Sequence, residues 1–345
     1  MISEMTSEPV SISVVIPTYN RKESVCGAID SVLAQTYLPA EIVVVNDGST
    51  DGTVEYLKDR YGDKINLVSQ ANQGASAARN FGVSVATSKW VAFLDSDDLW
   101  HPEKLKHQAE LLKLRPDLDY VTCNGALVDT PDKRLVKTSY LSHATPISGD
   151  FYEVPDSLFS INWVYRDSRS VTFFLQALMI RRDIYEREGG LDVTLRVAED
   201  YDFFVRIAKY SHGYVDRIGW YYRTVRDEVA LTSKTDWQQI WEDRMHTGTA
   251  LERYVALNRD SISRKALAES RKFLIQCDYQ GTHLSLAKDD VQEARRYAVR
   301  LLKRGLHSKT VHSLMIAALP GMTLRLIKLK ARIRRSLKPA SVASN

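Results

Sequence analysis

The sequence Val91-Ala92-Phe93-Leu94-Asp95-Ser96-Asp97-Asp98-Leu99 places three carboxylates within four positions, directly after an apolar run. The apolar part is long enough for one buried strand. The acidic part cannot be buried with it, because each unpaired carboxylate in a protein interior carries a large desolvation penalty. We therefore predict that Asp95, Asp97 and Asp98 lie where the strand leaves the sheet, within reach of water or a cation.

Clustered carboxylates provide the hard oxygen ligands that Mg²⁺ and Mn²⁺ prefer, and such a cation at a strand end can hold a diphosphate. The same residues, 95–98, also fit an ordinary turn followed by a helix cap. Taken alone, this short sequence favours the turn. The motifs elsewhere in the chain shift the interpretation toward a cation site.

Composition is that of an ordinary globular protein. The 345 residues are 44% hydrophobic and 26% charged, which suits one large domain, or a catalytic domain with an accessory segment. Cys26, Cys123 and Cys277 are widely spaced; this argues against a disulfide framework or zinc site and fits a reducing cytoplasm. We interpret them as buried small hydrophobic residues. The sequence predicts no signal peptide, and no apolar run approaches the ~20 residues that span a bilayer.

The net charge of +4 originates at the C-terminus. Residues 323–345 contain seven basic and no acidic side chains, which leaves 40 basic against 43 acidic side chains elsewhere. A near-neutral body predicts no nucleic-acid partner. With helical spacing, the apolar residues of this tail gather on one side and basic residues cover much of the rest. That pattern favours either an amphipathic helix on an anionic membrane surface or a helix packed on the body.

Apolar runs alternate with helical patterns through the first hundred residues. Strands are predicted at 11–17, 41–46, 65–69 and 90–94, and helices at 22–35, 53–61 and 74–86. Continuous apolar runs joined by helices indicate an α/β fold, with a mostly parallel sheet and helices on both faces. Ligands bind at the carboxyl ends of strands in such sheets. Polar clusters follow three of these strands, at 18–21, 47–49 and 95–98.

The remainder is predicted to contain mixed elements and then only helices. We predict helices at 102–114 and 198–210, strands at 119–128, 170–181 and 213–223, and further helices at 237–257, 261–280 and 290–304. Isolated histidines such as His101 and His212 have no ligand spacing, and we interpret them as surface or capping residues.

Five motifs, in this order, resemble the family 2 glycosyltransferases, which have the Rossmann-like GT-A fold. They lie at 13–21, 43–53, 72–80, 93–98 and 199–202. The resemblance covers roughly residues 11–223 and implies a metal-dependent, inverting enzyme. Such an enzyme moves a sugar from a nucleotide-diphosphate donor, here expected to be a UDP-sugar, to a hydroxyl of a glycan or lipid-linked acceptor, in surface polysaccharide or glycolipid biosynthesis.

This resemblance also sets the expected domain organisation and location. We place an N-terminal tail at 1–10, a GT-A catalytic domain at 11–228, a helical C-terminal region at 229–322 and a basic amphipathic tail at 323–345. We expect a cytoplasmic protein, peripheral on the cytoplasmic face of the membrane if the tail binds lipid. Lipid-linked acceptors would suit that location.

The resemblance implies that the strand ends bind the donor nucleotide. The residues involved are Pro17, Thr18, Tyr19, Asn20, Asp47, Arg79, Asp95 and Ser96. Asp47 would accept the N–H of a pyrimidine, and it also sits in an ordinary turn sequence. Arg79 follows a helix start where small residues admit a ligand close to the backbone, and it would contact the base or diphosphate; the alternative is a solvated arginine.

The resemblance identifies residues 95–97 as the DXD motif. It implies that Asp97 binds Mn²⁺ or Mg²⁺ directly, and that Asp95 contacts the ribose or a metal-bound water. Asp98 would contact the donor sugar or cap the next helix, and Arg223 or Arg226 would assist the diphosphate. Many relatives carry a histidine ligand shortly after the Tyr-Arg that ends the sheet. This sequence has none there, so a third protein ligand is not identified.

An inverting transfer needs a base that removes the proton of the acceptor hydroxyl. In the family this base comes from the Glu199-Asp200 motif, and we select Asp200, with Glu199 second. Acidic residues in a first helical turn are also favoured by the helix dipole alone. Asp202 lies on a different helix face and is a weaker candidate.

Two other functions are weighed against glycosyl transfer. A sugar-nucleotide nucleotidyltransferase also uses a doubly wound sheet and a metal, but it generally needs a glycine-rich phosphate loop that residues 17–21 lack. A non-catalytic nucleotide-sugar-binding protein would be expected to lose its acidic residues, and both acidic sites are present here.

Overall fold

The computed structural model describes residues 9–127, 135–136, 144–158, 174–195, 198–222, 248–287, 290–305 and 308–318. The chain divides into two compact units, one of residues 1–233 with 256–267 and the other of residues 234–255 with 268–345. The domain boundaries that we predict after residues 228 and 322 lie outside the described residues.

The N-terminal part of the first unit is a run of βα units. Its elements are β1 (Ile12–Thr18), α1 (Ser24–Leu33), β2 (Glu41–Asp47), α2 (Thr53–Tyr61), β3 (Asn66–Gln70), α3 (Ala75–Val85) and β4 (Trp90–Phe93). The four strands lie in the order β3-β2-β1-β4 and are all parallel. The sequence-based prediction of these elements is confirmed to within two residues at each end.

Strand β1 shows why this part of the sheet needs a continuous apolar run. All seven of its residues are buried. Val14 and Ile16 join the apolar cluster that contains the buried side chains of α1. Val15 points the other way, toward α3, where a β-carbon at Gly82 would lie 2.4 Å from Val15 Cγ1. Helices therefore cover both faces, as predicted, and successive side chains of one strand pack against different helices.

The rest of the first unit extends the sheet with mixed pairing. Its elements are β5 (Leu99–Trp100), α4 (Lys104–Leu114), β6 (Tyr120–Leu127), β7 (Leu135–Val136), β8 (Thr145–Ser148), β9 (Phe151–Glu153), β10 (Met179–Arg181), α5 (Arg182–Arg187), α6 (Glu199–Ile207) and β11 (His212–Tyr222). The full order is β3-β2-β1-β4-β10-β6-β11-β9-β8. Strand β10 is antiparallel to both β4 and β6. The α/β class is confirmed, and parallel pairing in the described sheet is confined to β1–β4 and the β6–β11 pair.

The single strand that we predict at 170–181 is wrong for its described part. Residues Leu175–Ala177 form a 3₁₀ turn, and only Met179–Arg181 are a strand. The turn is held from α4, because Gln108 Nε2 donates to Ala177 O at 2.9 Å. This arrangement brings the buried amide of Gln176 to the end of β4, where it contacts acidic side chains. An apolar run alone does not reveal such a turn.

His212 is another correction, because it is buried and does not lie at the surface. Its ring stacks on Tyr120 with 4.3 Å between centroids, and its two nitrogens contact Thr122 Oγ1 at 2.7 Å and Ser157 Oγ at 3.2 Å. Burial lowers the pKa of His212 to about 3, so the ring is neutral at physiological pH. His101 lies just before α4, and its Nδ1 accepts from Glu103 N at 3.2 Å. All three cysteines are buried, as predicted.

The described C-terminal residues are helical, as predicted. They form a helical segment at 248–257, α7 (Arg264–Ala287), α8 (Val291–Arg304) and α9 (Ser308–Ala318). Buried Asp278 of α7 pairs with Arg300 at 3.0 Å and Arg304 at 2.5 Å, both on α8. None of the helices in the described ranges combines the length and apolarity needed to cross a bilayer.

The packing of α3 on the sheet predicts that Gly82→Ala destabilises the protein. Helix propensity alone would favour alanine by about 1 kcal/mol. The new methyl group would instead meet Val15 Cγ1 at 2.4 Å and Val45 Cγ2 at 3.0 Å, so we expect a net loss of roughly 1–3 kcal/mol of unfolding free energy. Urea denaturation measures this, with exposed Ser84→Ala on the same helix as the control. A Gly82→Ala variant as stable as the control would contradict the packing described.

Candidate active site

The acidic residues that follow β4 form a tight turn at the edge of the parallel strands. Leu94 is still part of the sheet region, since its N–H donates to Val15 O at 3.1 Å, and Asp98 N then donates to Asp95 O at 3.1 Å. Asp98 is buried, and Asp95 and Asp97 are partly exposed. Carboxylate oxygens of Asp95, Asp97 and Asp98 all lie within 4.8 Å of one another. The cluster lies at the strand exit, as predicted, but the expectation that all three carboxylates reach water is wrong for Asp98, which is buried and accepts from Gln176.

Basic and amide groups from distant parts of the chain contact these carboxylates. Arg21 Nη1 lies 2.8 Å from Asp97 Oδ2, and Arg79 pairs with Asp95. Gln176 donates to Asp95 and, at 3.0 Å, to Asp98 Oδ2. Neither Arg21 nor Gln176 is among the site residues that we select from the sequence. Arg21 lies inside the first motif and could have been selected on charge, whereas Gln176 has no local signal.

The carboxylates suit a divalent cation in chemistry and spacing. Their oxygens are hard ligands, and three of them within 4.8 Å can approach one ion after small side-chain movements. The nearby donors do not prevent this, because each carboxylate has several lone pairs. The residues present therefore fit the Mn²⁺ or Mg²⁺ expected from the sequence.

Arg79 is the buried link between the acidic turn and a second acidic group. Its guanidinium pairs with Asp95 on one side and lies 3.6 Å from Glu199 Oε1 on the other. Burial lowers the pKa of Arg79, but the charges of Asp95 and Glu199 outweigh this effect and raise it overall, so the residue stays charged. The alternative of a solvated helix arginine is therefore wrong.

Glu199 and Asp200 begin α6, immediately after Ala198, whose φ of 64° is in the left-handed region. Asp200 is partly buried, and its Oδ1 accepts from Tyr201 N at 2.6 Å. Burial and the charge of Glu199 raise the pKa of Asp200 to about 7, against the opposing effects of the Tyr201 N–H and Arg79. A carboxyl group with such a pKa can accept a proton near neutral pH.

The ends of β1 and β2 are joined through Asn20, which has φ of 50°. Its backbone N–H donates to Ser49 Oγ at 2.9 Å, and its Oδ1 accepts from Thr50 N at 2.8 Å. Pro17 and Thr18 are the last residues of β1, and Tyr19 after them is 46% exposed. Among the described residues, Thr18 Oγ1 is one of the buried polar atoms without a hydrogen-bond partner. The residues from Pro17 to Asn20 therefore lie beside the end of β2, as their positions in the sequence predict.

Asp47 is buried at the end of β2 and organises the loop that leads into α3. Its Oδ1 accepts from Gln70 Nε2 at 2.8 Å and Gln73 N at 2.9 Å, and its Oδ2 accepts from Gly74 N at 2.8 Å. Gly48 follows with φ of 78°, and a β-carbon there would lie 2.9 Å from Asn72 N. Asp47 thus has a structural role; contact with a nucleotide base stays a prediction.

Ser96 and Arg223 are the remaining site residues selected from the sequence. Ser96 is buried within the acidic turn. Arg223 lies outside the described residues, directly after the last described residue of β11. Asp202, the weaker candidate for the base, pairs with Arg206 at 2.7 Å on the same helix.

Comparison with known proteins identifies the family. Residues 13–187 match the family model described as glycosyl transferase family 2. The chain belongs to glycosyl transferase family 2. The matched region includes the acidic turn and Arg79, and α6 lies just beyond its end. This membership makes the protein a glycosyltransferase and replaces the nucleotidyltransferase and non-catalytic alternatives.

Similar proteins are named glycosyltransferases as well. An uncharacterised glycosyltransferase of Rickettsia typhi is 28% identical over 243 residues, which are 67% of this chain and 70% of that protein. One of Escherichia coli is 41% identical over 124 residues, which are 35% of this chain and 36% of that protein. The chain thus spans 70% of the first relative and about a third of the second.

A solved structure supports the fold of this family 2 glycosyltransferase. The crystal structure of S. aureus TarS 1-349 in complex with UDP-GlcNAc matches with a TM-score of 0.56 and 18% identity, over 86% of this chain and 93% of that one. At this identity the likeness establishes the GT-A fold alone.

The raised pKa of Asp200 predicts that Asp200→Asn stabilises the protein. The folded state favours the protonated form of Asp200. The stability that this preference contributes is fully present below the ordinary pKa of 3.8 and is lost as pH rises through about 7. Because asparagine imitates the protonated form, we expect a gain of roughly 1–3 kcal/mol in unfolding free energy at pH 8, shrinking toward pH 4.

Chemical denaturation at pH 8 and pH 4 measures this difference. The matched control is Asp202→Asn on the same helix turn, which removes the ion pair with Arg206 and is expected to destabilise by about 1 kcal/mol. A destabilised Asp200→Asn at pH 8 would show that the folded state does not raise the pKa of Asp200.

Proposed function

We propose that this glycosyltransferase is a metal-dependent, inverting enzyme that transfers a sugar from a UDP-sugar to a hydroxyl of a glycan or lipid-linked acceptor. The observation that carries the proposal is the position of Arg79, which lies between Asp95 of the acidic turn and Glu199 of α6. One buried guanidinium thereby holds the acidic turn, which is suited to bind the donor, close to the start of α6, where Asp200 is suited to deprotonate the acceptor.

On the donor side, Asp97 and Asp95 would hold Mn²⁺ or Mg²⁺, with Asp98 beside them. The cation, when bound, would neutralise charge that develops on the departing diphosphate. Asp95 is fixed by Arg79 and Gln176, so only a small side-chain movement would be needed for it to present an oxygen to the cation. Tyr19, which is exposed at the end of β1, and Asp47 would contact the base.

On the acceptor side, Asp200 would accept the hydroxyl proton as the acceptor oxygen attacks the sugar carbon. Its pKa of about 7 leaves a large fraction deprotonated at neutral pH while keeping it basic enough for proton transfer. Glu199 is tied to Arg79 at 3.6 Å, which makes it less suited to this task. In-line attack from this side inverts the anomeric configuration.

A UDP-sugar donor is supported by analogy. S. aureus TarS has been crystallised with UDP and with UDP-GlcNAc, and this chain shares its fold. The end of β1 offers a buried, unpartnered hydroxyl at Thr18 and an aromatic ring at Tyr19, which are groups that can bind a nucleoside.

Release of UDP tests this proposal without knowledge of the acceptor. With a set of UDP-sugars and Mn²⁺, we expect slow donor hydrolysis and a thermal shift for the true donor, both lost in EDTA. Asp97→Asn should lose Mn²⁺-dependent donor binding. Asp200→Asn should keep donor affinity within about twofold but lower hydrolysis by at least a hundredfold, because only the base is removed.

The paired variants separate the two roles. Full hydrolysis by Asp200→Asn would remove this residue from the mechanism, and unchanged Mn²⁺ dependence in Asp97→Asn would remove the proposed cation site. The exposed pair Arg60 and Asp30 provides a control, since Asp30→Asn alters a carboxylate away from these motifs.

We also propose that the basic tail, 323–345, places the protein on the cytoplasmic face of an anionic membrane. The tail carries seven basic side chains and no acidic ones, and it lies outside the described residues. With vesicles of anionic phospholipid, we expect the full chain to cosediment and a chain ending at residue 322 to remain in solution, with an effect that weakens at high salt. Equal binding of both chains would contradict this proposal.

A further inference from the structure

The turn at residues 188–191 connects α5 to the segment that leads into α6. Its backbone folds back on α5, with Gly189 N donating to Glu186 O at 3.0 Å and Gly190 N to Tyr185 O at 2.9 Å. Both glycines have positive φ, 78° at Gly189 and 65° at Gly190. The turn ends eight residues before Glu199 in sequence.

Asn80 of α3 binds one side of this turn through both ends of its amide. Its Nδ2 donates to Leu191 O at 2.8 Å, and its Oδ1 accepts from Leu191 N at 2.9 Å and from Tyr185 OH at 2.7 Å. A β-carbon at Gly190 would lie 2.5 Å from Asn80 Oδ1. The contact is therefore close enough that it depends on glycine at position 190.

Arg206 of α6 binds the other side of the same turn. Its guanidinium donates to Glu188 O and, at 2.8 Å, to Gly190 O. Asp202, one turn earlier on α6, fixes Arg206 through an ion pair of 2.7 Å. The Glu188 side chain is bound in turn by Tyr210 OH at 2.7 Å and Lys209 Nζ at 3.0 Å. Helix α6 is thus attached to the turn by two guanidinium hydrogen bonds of Arg206, and the residues just after α6 add one ion pair and one hydroxyl contact.

These contacts connect α3 to α6 twice through neighbouring residues. Arg79 reaches Glu199 directly, and Asn80 reaches the turn that Arg206 binds. We propose that Asn80 and Arg206 form a two-sided lock on residues 188–191 that fixes α6, and with it Asp200, relative to the acidic turn. This inference rests on the proposed function and adds Asn80, Arg206 and Asp202 as positioning residues for the acceptor side.

The two glycines provide a matched pair of variants. Gly190→Ala places its methyl group against Asn80 Oδ1, whereas a β-carbon at Gly189 meets no atom within 4 Å. Both positions have positive φ, so both variants carry similar backbone strain. The difference between them isolates the contact with Asn80, apart from a lesser one of 3.1 Å with the Tyr185 ring.

The experiment combines hydrogen exchange, UDP affinity and hydrolysis of a UDP-sugar with Mn²⁺. For Asn80→Ala and Gly190→Ala, we expect faster amide exchange at residues 186–204 than in the wild-type protein, with exchange at 90–98 unchanged. Turnover of the UDP-sugar should fall roughly tenfold or more, because small displacements of a base are costly. UDP affinity and KM should stay within about twofold. Gly189→Ala should change amide exchange and turnover little. In the Asn80→Ala background, Gly190→Ala should lower turnover no more than Gly189→Ala does.

Three results would overturn the lock. These are unchanged exchange at 186–204, faster exchange with unchanged turnover, and a loss of UDP affinity as large as the loss of turnover, which would mean that Asn80 acts through Arg79 on the donor side. If the wild-type protein hydrolyses none of the UDP-sugars, the proposed function fails, and the exchange measurement with the two glycine variants still decides whether the lock exists.

Discussion

The candidate site depends on one buried charge, the guanidinium of Arg79. A buried arginine is tolerated only where carboxylates compensate its desolvation, and here Asp95 and Glu199 do so from opposite sides. Arg79 in turn stabilises both carboxylates, because without it Asp95 and Glu199 would lose the counter-charge that they share. The arginine therefore sets the separation of two acidic elements that the fold brings from distant parts of the chain.

Helix α3 is the element that makes this possible. Gly82 lets it pack closely on β1 and β2, and Asp47 fixes its start by accepting from the backbone N–H groups of Gln73 and Gly74. The same helix then presents Arg79 to the acidic side chains and Asn80 to the turn before α6. A helix held at both its start and its packed face is a rigid support, which is what a site assembled from several loops requires.

Local hydrophobic pattern was sufficient to predict the helices and strands of the N-terminal βα units. Strands β1 and β2 are continuous apolar runs because helices cover both faces, and α2 lies where its spacing predicts it. The positions of Asp97 and Asp200 also followed from motifs. The contacts of Gln176 with Asp95, and of Asn80 with Leu191, join residues 81 and 111 positions apart. No local period encodes such contacts, because they depend on the antiparallel insertion of β10 beside β4.

The prediction for His212 was wrong for a related reason. Its sequence context gives no sign that Thr122 and Ser157 will lie beside both ring nitrogens. Polar residues are predicted at the surface by default, and a buried one is stable only when distant partners satisfy it. Those partners come from β6 and the segment after β9, which become neighbours only when the sheet is complete.

The paired acidic motifs acquire a physical explanation from Arg79. In each pair one carboxylate, Asp95 or Glu199, is bound to the guanidinium and fixes the geometry. The other member, Asp97 or Asp200, is held by a different contact, from Arg21 in the first case and from the Tyr201 N–H in the second. A carboxylate that pairs with Arg79 keeps lone pairs for a further contact, but its position is set by the arginine. Both acidic motifs therefore place one carboxylate on Arg79 and a second one within two residues of it, at each end of the same buried cation.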